Sequence, residues 1–499
     1  MSDNKSLYSI ISSSLVNGEL PVDFSLPAIQ NGKEPKWADG AQDGVLVSHW
    51  GRNDSISDED QDLMQRAVAA ASEGNFDLAD ELFGELGKHV RAINIYSKLQ
   101  KYVVLNIRSL DEEMIFRYAA RAISESADRE TVKFGLCLLQ LNDEDNDPDV
   151  KDVIRTLALC DEFTLFVIFM IRDWPEGNDE VFRLAQKVHG WGRIHAVIWL
   201  DADSEEIKRW LLLEGVHNSI MYAYSAGECW AKSDAISVLR KGPTREEFTG
   251  IRDIIDGLCD EGPCKGLSEI EGKEEIILLF LKAARDFDLD YRDYMVINFI
   301  KDFFEDEEHP NPDIVFICNR MLSSDECRAA VKEGVLAGHF ISFAPALGIN
   351  YQDEILNKMR DSFLENYSIG KYLIHNPEYR DAAVDLYREK LPLEDLKNAE
   401  WRSPDRMACE TALSYVVGEL YNYPYVGLDL IETALQTDSM WAKVNALNVL
   451  GIWANKEGKP LSEILPETNA LILKLSETEL VDAVKKKMIG TVRINSDQS

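Results

Sequence analysis

Basic residues are scarce in this chain. Lys and Arg number 53 against 88 Asp and Glu, a formal net charge of −35 over 499 residues. Nucleic acids and anionic lipids are held by clustered cations, so neither is expected as a partner. The longest basic run, Lys485-Lys486-Lys487, falls at the end of a helical pattern, where cations suit the helix dipole. Long hydrophobic runs are missing as well. The most apolar stretch, Phe163 to Ile171, has nine residues, well short of the roughly 20 that cross a bilayer; it reads as a buried core helix, and no membrane association is expected. The start, Met1-Ser2-Asp3-Asn4-Lys5, lacks a basic segment followed by an apolar core. The eight cysteines are spread along the chain with no CxxC, and only Cys259 and Cys264 are close. That is cytosolic usage rather than a disulfide framework, so a cytoplasmic protein is expected.

The standard nucleophile, phosphate-loop, dinucleotide and zinc-protease signatures are absent, and no cofactor is expected. Near-misses for metal resolve the same way. Asp143, Asp145, Asp147 and Asp149 alternate as in a calcium loop, but Pro148 and Ile154 stand where the turn glycine and the bidentate glutamate belong; a solvated inter-helix loop is expected. Glu305 to Glu308 with His309 precede Pro310, as at a frayed helix end. Cys259-x4-Cys264 has no nearby His and no second cysteine pair to complete four zinc donors.

β-Alternation with hairpin turns is also missing, as are Pro- or Ser-rich linkers. What is present is helix. From Ser57 to Lys487, segments of about 11–18 residues carry apolar positions at i, i+3, i+4 and i+7. Thr244-Arg245-Glu246-Glu247, Ser323-Ser324-Asp325-Glu326 and Ser476-Glu477-Thr478-Glu479 have capping-box spacing, and Ser403-Pro404 pairs a cap with a first-turn proline. A single core stops growing above about 250–300 residues, whereas stacked helical pairs bury their faces on their neighbours. The loose period, roughly 30–45 residues per pair, is that of HEAT and armadillo-like repeats. The expected fold is all-α, an α-α superhelix (solenoid) over 58–499 with an irregular arm at 1–57. The arm is dense in Gly and Pro, and its apolar anchors are Phe24, Leu26, Trp37, Val45, Leu46, Val47 and Trp50.

Two clusters carry the candidate site. His189-Gly190-Trp191-Gly192-Arg193-Ile194-His195, with Trp199 and Asp201 beyond, places two glycines at a tight turn and His195 and Trp199 on one helix face. In the arm, Asp39-Gly40-Ala41-Gln42-Asp43-Gly44 precedes His49-Trp50-Gly51-Arg52; closely spaced glycines permit tight turns, with Asp39 and Asp43 free to accept backbone N–H bonds. The ligand- or partner-binding candidates are Trp191, Arg193, His195, Trp199, Asp39, Asp43, His49 and Arg52. They are expected near the concave surface, with the arm close by. Arg193 should meet a carboxylate or face a groove, since Arg is rarely buried without a partner. The alternative is that Trp191 and Trp199 fill the core.

These two stretches, together with Tyr423-Pro424-Tyr425-Val426-Gly427-Leu428, Ile431 to Leu435, Trp441 to Leu447 and Trp453, resemble a family of bacterial HEAT-like (armadillo-type) helical repeat proteins. That family has a basic, Asn-containing stretch where this chain has Trp441 to Asn445, so no role for that helix carries over. Some relatives bear a limonene hydroxylase label, for which this chain has no supporting motif. The resemblance and the charge imply a non-catalytic scaffold whose concave face holds a protein or peptide, the acidity favouring a basic one. A small-molecule enzyme with a site near His189–Asp201 is the alternative. A HEAT-like DNA glycosylase with Trp191, Trp199 and Asp201 cradling a base is a weaker one.

Overall fold

The computed structural model describes residues 5–21, 23–27, 37–50, 56–141, 147–262, 264–306, 308–337, 339, 341–349, 352–398 and 400–495. Among them the chain is all-helical, with no strand beyond an isolated bridge between Val16 and Glu19. It divides into two compact units: residues 1–288 with 296–320, and residues 289–295 with 321–499.

The first unit opens with α1 (Leu7–Ser14) and α2 (Ala41–Val45), both in the arm. Then come α3 (Asp58–Ser72), α4 (Phe76–His89), α5 (Ala92–Asn106), α6 (Glu112–Glu125), α7 (Arg129–Leu139), α8 (Pro148–Ala158) and α9 (Asp161–Ile171). α10 (Gly177–Ala185), α11 (Trp191–Trp199), α12 (Glu205–Leu213) and α13 (Ala223–Lys232) follow, with further helices at Ala235–Lys241, Arg245–Cys259 and Lys273–Ala283. Helices pack as neighbouring pairs, α3 on α4, α6 on α7 and α8 on α9. One row of packing runs α4, α7, α9, α11, α13 and helix Arg245–Cys259, and a second runs α3, α6 and α8. α7 and α9 lie between neighbours on several sides, which is why nearly every residue of each is buried. The Phe163–Ile171 run is therefore a core helix, as its apolarity requires. Among the described residues no helix is long and apolar enough to cross a membrane.

Local start signals act as expected in part. Thr244 and Glu247 form the full reciprocal capping box. Asp147 accepts the Asp149 and Val150 N–H groups and caps α8 with Pro148 in its first turn; the rest of that acidic loop lies outside the described residues. Three start signals are corrected. The cap at 323–326 is Ser324, bonded to the Cys327 N–H. Ser403 caps only the turn before helix Arg406–Glu419. Ser476 sits at the end of helix Pro466–Thr478, its hydroxyl donating to the Leu473 carbonyl, and a new helix starts at Asp482. In each case the side chain can bond the backbone in more than one local register, and packing selects one.

In the arm, Leu26 is buried, and Val45 packs with Ala41, Trp191 and Ile194. Trp37 and Val47 are exposed rather than anchoring. The second unit packs helix Arg406–Glu419 on helix Met440–Glu457, around a fully buried Trp453 whose indole N–H donates to the Leu420 carbonyl at 3.1 Å.

Candidate functional site

α7 begins at the cap Asp128, whose carboxylate accepts the Thr131 N–H at 2.8 Å. This register puts Glu130 and Lys133 on the face turned towards α9 and the arm. Lys133 is 0% exposed, flanked by Val132 and Phe134, with its ammonium 5.6 Å from the Phe166 ring centre. An ammonium placed there needs anions on its donors. Three carboxylates supply them: Glu162 at 2.5 Å, Asp43 at 2.6 Å and Glu130 at 3.0 Å.

A second layer of cations locks the same acids. Arg91, just before α5, bonds Asp43 at 2.7 Å, the Gln42 amide oxygen at 2.8 Å and Glu130 at 3.1 Å. Arg129 bonds Asp39 at 2.9 Å and Glu162 at 3.0 Å, and reaches the Pro27 carbonyl. Backbone N–H groups complete the set: Gly40 to Glu162 at 2.9 Å, Ala92 to Glu130 at 2.7 Å and Leu26 to Asp39 at 2.8 Å. Four carboxylates thus face three cations. Asp39 and Asp43 come from the arm, and all the rest from the helical body.

The electrostatics follow from burial and partners. Burial opposes ionisation of Asp43, but Lys133 and Arg91 outweigh it and hold its carboxyl at about 2. Burial is likewise outweighed at Glu162, chiefly by Lys133, and this carboxyl is lowered. At Glu130 burial wins and the carboxyl is raised. Burial would neutralise Lys133, but Asp43, Glu130 and Glu162 keep it protonated above its ordinary value. Asp43, Glu130 and Glu162 bring oxygens within 4.8 Å of one another, a spacing suited to a metal ion. The Lys133 ammonium already bonds all three, so the cation position of this cage is taken by the chain itself.

The glycines of both motifs answer to the same junction. Gly40 has φ 71°, left-handed backbone, and an added Cβ there would strike the Asp161 carbonyl. Gly44 lies flat on the Trp191 ring, where a Cβ would overlap it. Gly190 and Gly192 leave room for the Asp161 carboxylate, which accepts the Trp191 and Gly192 N–H groups. Asp161 therefore caps α11, whose own N-cap position, Gly190, offers no side chain. Burial raises the Asp161 carboxyl to about 6, against the pull of those two N–H groups.

The structure thus brings together Asp39, Asp43, Trp191 and His195, but inside the protein. Trp191 and His195 are buried, not set on an open face, and burial pushes the His195 imidazole down to about 4, with Asp43 opposing. Asp39 accepts a backbone N–H as expected, whereas the partners of Asp43 are cations. His49 bonds the Tyr224 hydroxyl, and Tyr224 packs on Trp191 at 4.8 Å between ring centres. Arg193 meets neither a carboxylate nor a groove. It is 7% exposed, donates to the Glu214 carbonyl at 2.8 Å and lies 5.1 Å over the Trp210 ring, while its Nε has no hydrogen-bond partner. Trp199 is half-buried, edge-on to Phe169 and under the Arg172 guanidinium at 4.4 Å. Asp201 is exposed, its backbone bonded to the Asn178 amide. Trp191, Trp199 and Asp201 do not share an open face. Arg52 and the side chain of Trp50 lie outside the described residues.

Arg91, Arg129, Glu130, Lys133, Asp161 and Glu162 were not singled out from the sequence. Their signal is charge in apolar context: Lys133 within a run of buried positions, and Asp161-Glu162 immediately before the most apolar helix of the chain. Chemically the centre is closed. Every ammonium donor of Lys133 is occupied and its pKa is raised, so it offers no free amine. What the arrangement does is fasten the arm to the helical body. Comparison with family models, curated proteins and solved structures returned no match.

Proposed function

We propose that this protein is a non-catalytic binding scaffold, a HEAT/armadillo-like solenoid that holds a basic protein or peptide. The observation that carries the proposal is a set of large apolar side chains left in solvent at one end of the second unit. Arg406 bonds Asp438 at 3.1 Å, tying the start of helix Arg406–Glu419 to the loop before helix Met440–Glu457. Lys443 bonds Glu479 at 2.6 Å, tying the first turns of the latter helix to the end of helix Pro466–Thr478. Beside these ties Met407 is 78% exposed, Trp441 68% and Leu480 79%. Met and Trp are favoured at the centres of protein interfaces. The chain's charge selects basic partners. The burial of Trp191 and His195 argues against the enzyme alternative near His189–Asp201, because neither side chain is open to a substrate.

The test is affinity capture from native lysate by wild type and by a Met407→Ala/Trp441→Ala double variant, with titration of any partner recovered. Loss of about 2 kcal/mol, roughly 30-fold in affinity, is expected for anchors of this size. A partner that binds both forms equally, or one that is acidic, would refute the assignment.

A further inference from the structure

α8, α9 and α10 leave an open cleft of about 550 Å³ between them. That is the size of a small-ligand site. Its floor is apolar, formed by Leu159, Val167, Ile171 and Leu184. Its rim is cationic, with Arg155, Arg183 and Lys187. The arginines are held in place. Arg155 bonds Glu180 at 2.8 Å and Asp152 at 3.4 Å, with its guanidinium 5.4 Å over the Trp174 ring. Arg183 bonds the same Glu180 at 3.2 Å. The two carboxylates of the rim are thus engaged by the two arginines. Lys187 is exposed, its backbone N–H donates to the Leu184 carbonyl at 2.9 Å, and its ammonium has no ion pair among the described residues.

This cleft runs against the rest of the molecule. In a chain with a formal charge of −35, three cations and two carboxylates leave one positive charge beside an apolar floor. The floor excludes a purely polar anion as the best fit, and the rim excludes an apolar cation. We propose that the cleft binds a small amphipathic anion, an aliphatic carboxylate whose chain lies on Leu159, Val167 and Leu184 and whose head pairs with Lys187 and Arg183. Repulsion from the distant acidic surface is screened beyond about 8 Å at physiological ionic strength, so the local charge decides. The site is separate from the surface assigned to a basic partner and stands or falls independently of it.

The test is isothermal titration of the full chain with decanoate below its micelle threshold, beside decyltrimethylammonium, the same tail with the opposite head. Two variants accompany it. Thr156→Trp fills the cleft from a half-buried position, and Lys187→Glu reverses the free charge at an exposed one. Thermal melts are expected to stay at the wild-type value for both. The expected result is one decanoate per chain, binding at least about tenfold weaker in Lys187→Glu, the scale of one charge-assisted hydrogen bond. Binding should vanish in Thr156→Trp, and the ammonium should not bind. Lys187→Gln, which removes the charge without reversing it, should fall between wild type and Lys187→Glu. No heat with decanoate, equal binding of the two head groups, or binding indifferent to both substitutions would overturn the proposal.

Discussion

Replacing Lys133 by Met keeps the length of the side chain and removes its charge. The ammonium lies 2.5, 2.6 and 3.0 Å from Glu162, Asp43 and Glu130. Without it, the cations left to these buried carboxylates are Arg91 and, for Glu162, Arg129, beside the Gly40 and Ala92 N–H groups. Breaking a buried ion pair by removing one partner costs about 3–5 kcal/mol, because the stranded charge stays desolvated. The stranded acids have one relief, which is to take up protons. Their pKa values rise in the variant, so the cost must shrink as pH falls. Urea unfolding at pH 8 and at pH 5.5 should therefore give a loss of about 3–5 kcal/mol at the higher pH and a clearly smaller one at the lower. Hydrogen exchange should show the arm, residues 37–50, losing protection before the helical body does. A loss below about 1 kcal/mol at pH 8, or one of equal size at both pH values, would refute the account of Lys133 as the counter-ion that fastens the arm.

Two further outcomes follow from buried groups of the same unit. His195 titrates at about 4 in the fold and near 6.5 when unfolded, so the stability it contributes is full above 6.5 and is lost as pH falls towards 4. His195→Gln should flatten that acid-side loss in urea titrations between pH 7 and 4.5. The difference between variant and wild type is the quantity to follow, because Asp161, raised to about 6, acts in the opposite sense, its contribution being lost as pH rises through 6. Arg193→Met should leave stability within about 1 kcal/mol of wild type or raise it, since apolar replacement of a buried charge with no carboxylate partner removes a desolvation penalty; a thermal melt lowered by more than about 5 °C, on the usual scaling of stability to melting temperature, would show that the Glu214 carbonyl bond and the Trp210 contact outweigh it.

Helix is legible in this sequence because it rests on bonds between residues three and four apart. The apolar periodicity, the Thr244–Glu247 capping box and the Asp147-Pro148 start each need only their own few residues. The nine-residue stretch from Phe163, apolar but for Thr164, marked a core helix without any knowledge of its neighbours. Even so, Ser323 against Ser324 shows how a local signal leaves the register open by one residue.

The ionic centre obeys different physics. Lys133 meets Asp43 across a separation of 90 residues and Glu162 across 29. Nothing in the local pattern says which of 88 acidic residues will stand beside a given lysine. The sequence did mark Asp39 to Gly44 and Gly190 to Gly192 as unusual, and assigned their glycines to tight turns. Gly40 fits that account, with its left-handed φ, but Gly44 is small because Trp191 lies against it, and Gly190 and Gly192 because Asp161 does. Arg193 is the sharpest case. Its charge called for a carboxylate or a groove, and packing gave it a carbonyl and an indole face. Composition and local pattern suffice to make this chain helical, acidic and punctuated by glycines. Only tertiary packing decided which charges are buried together, since desolvation and ion pairing depend on distance in space, and helical periodicity on distance along the chain.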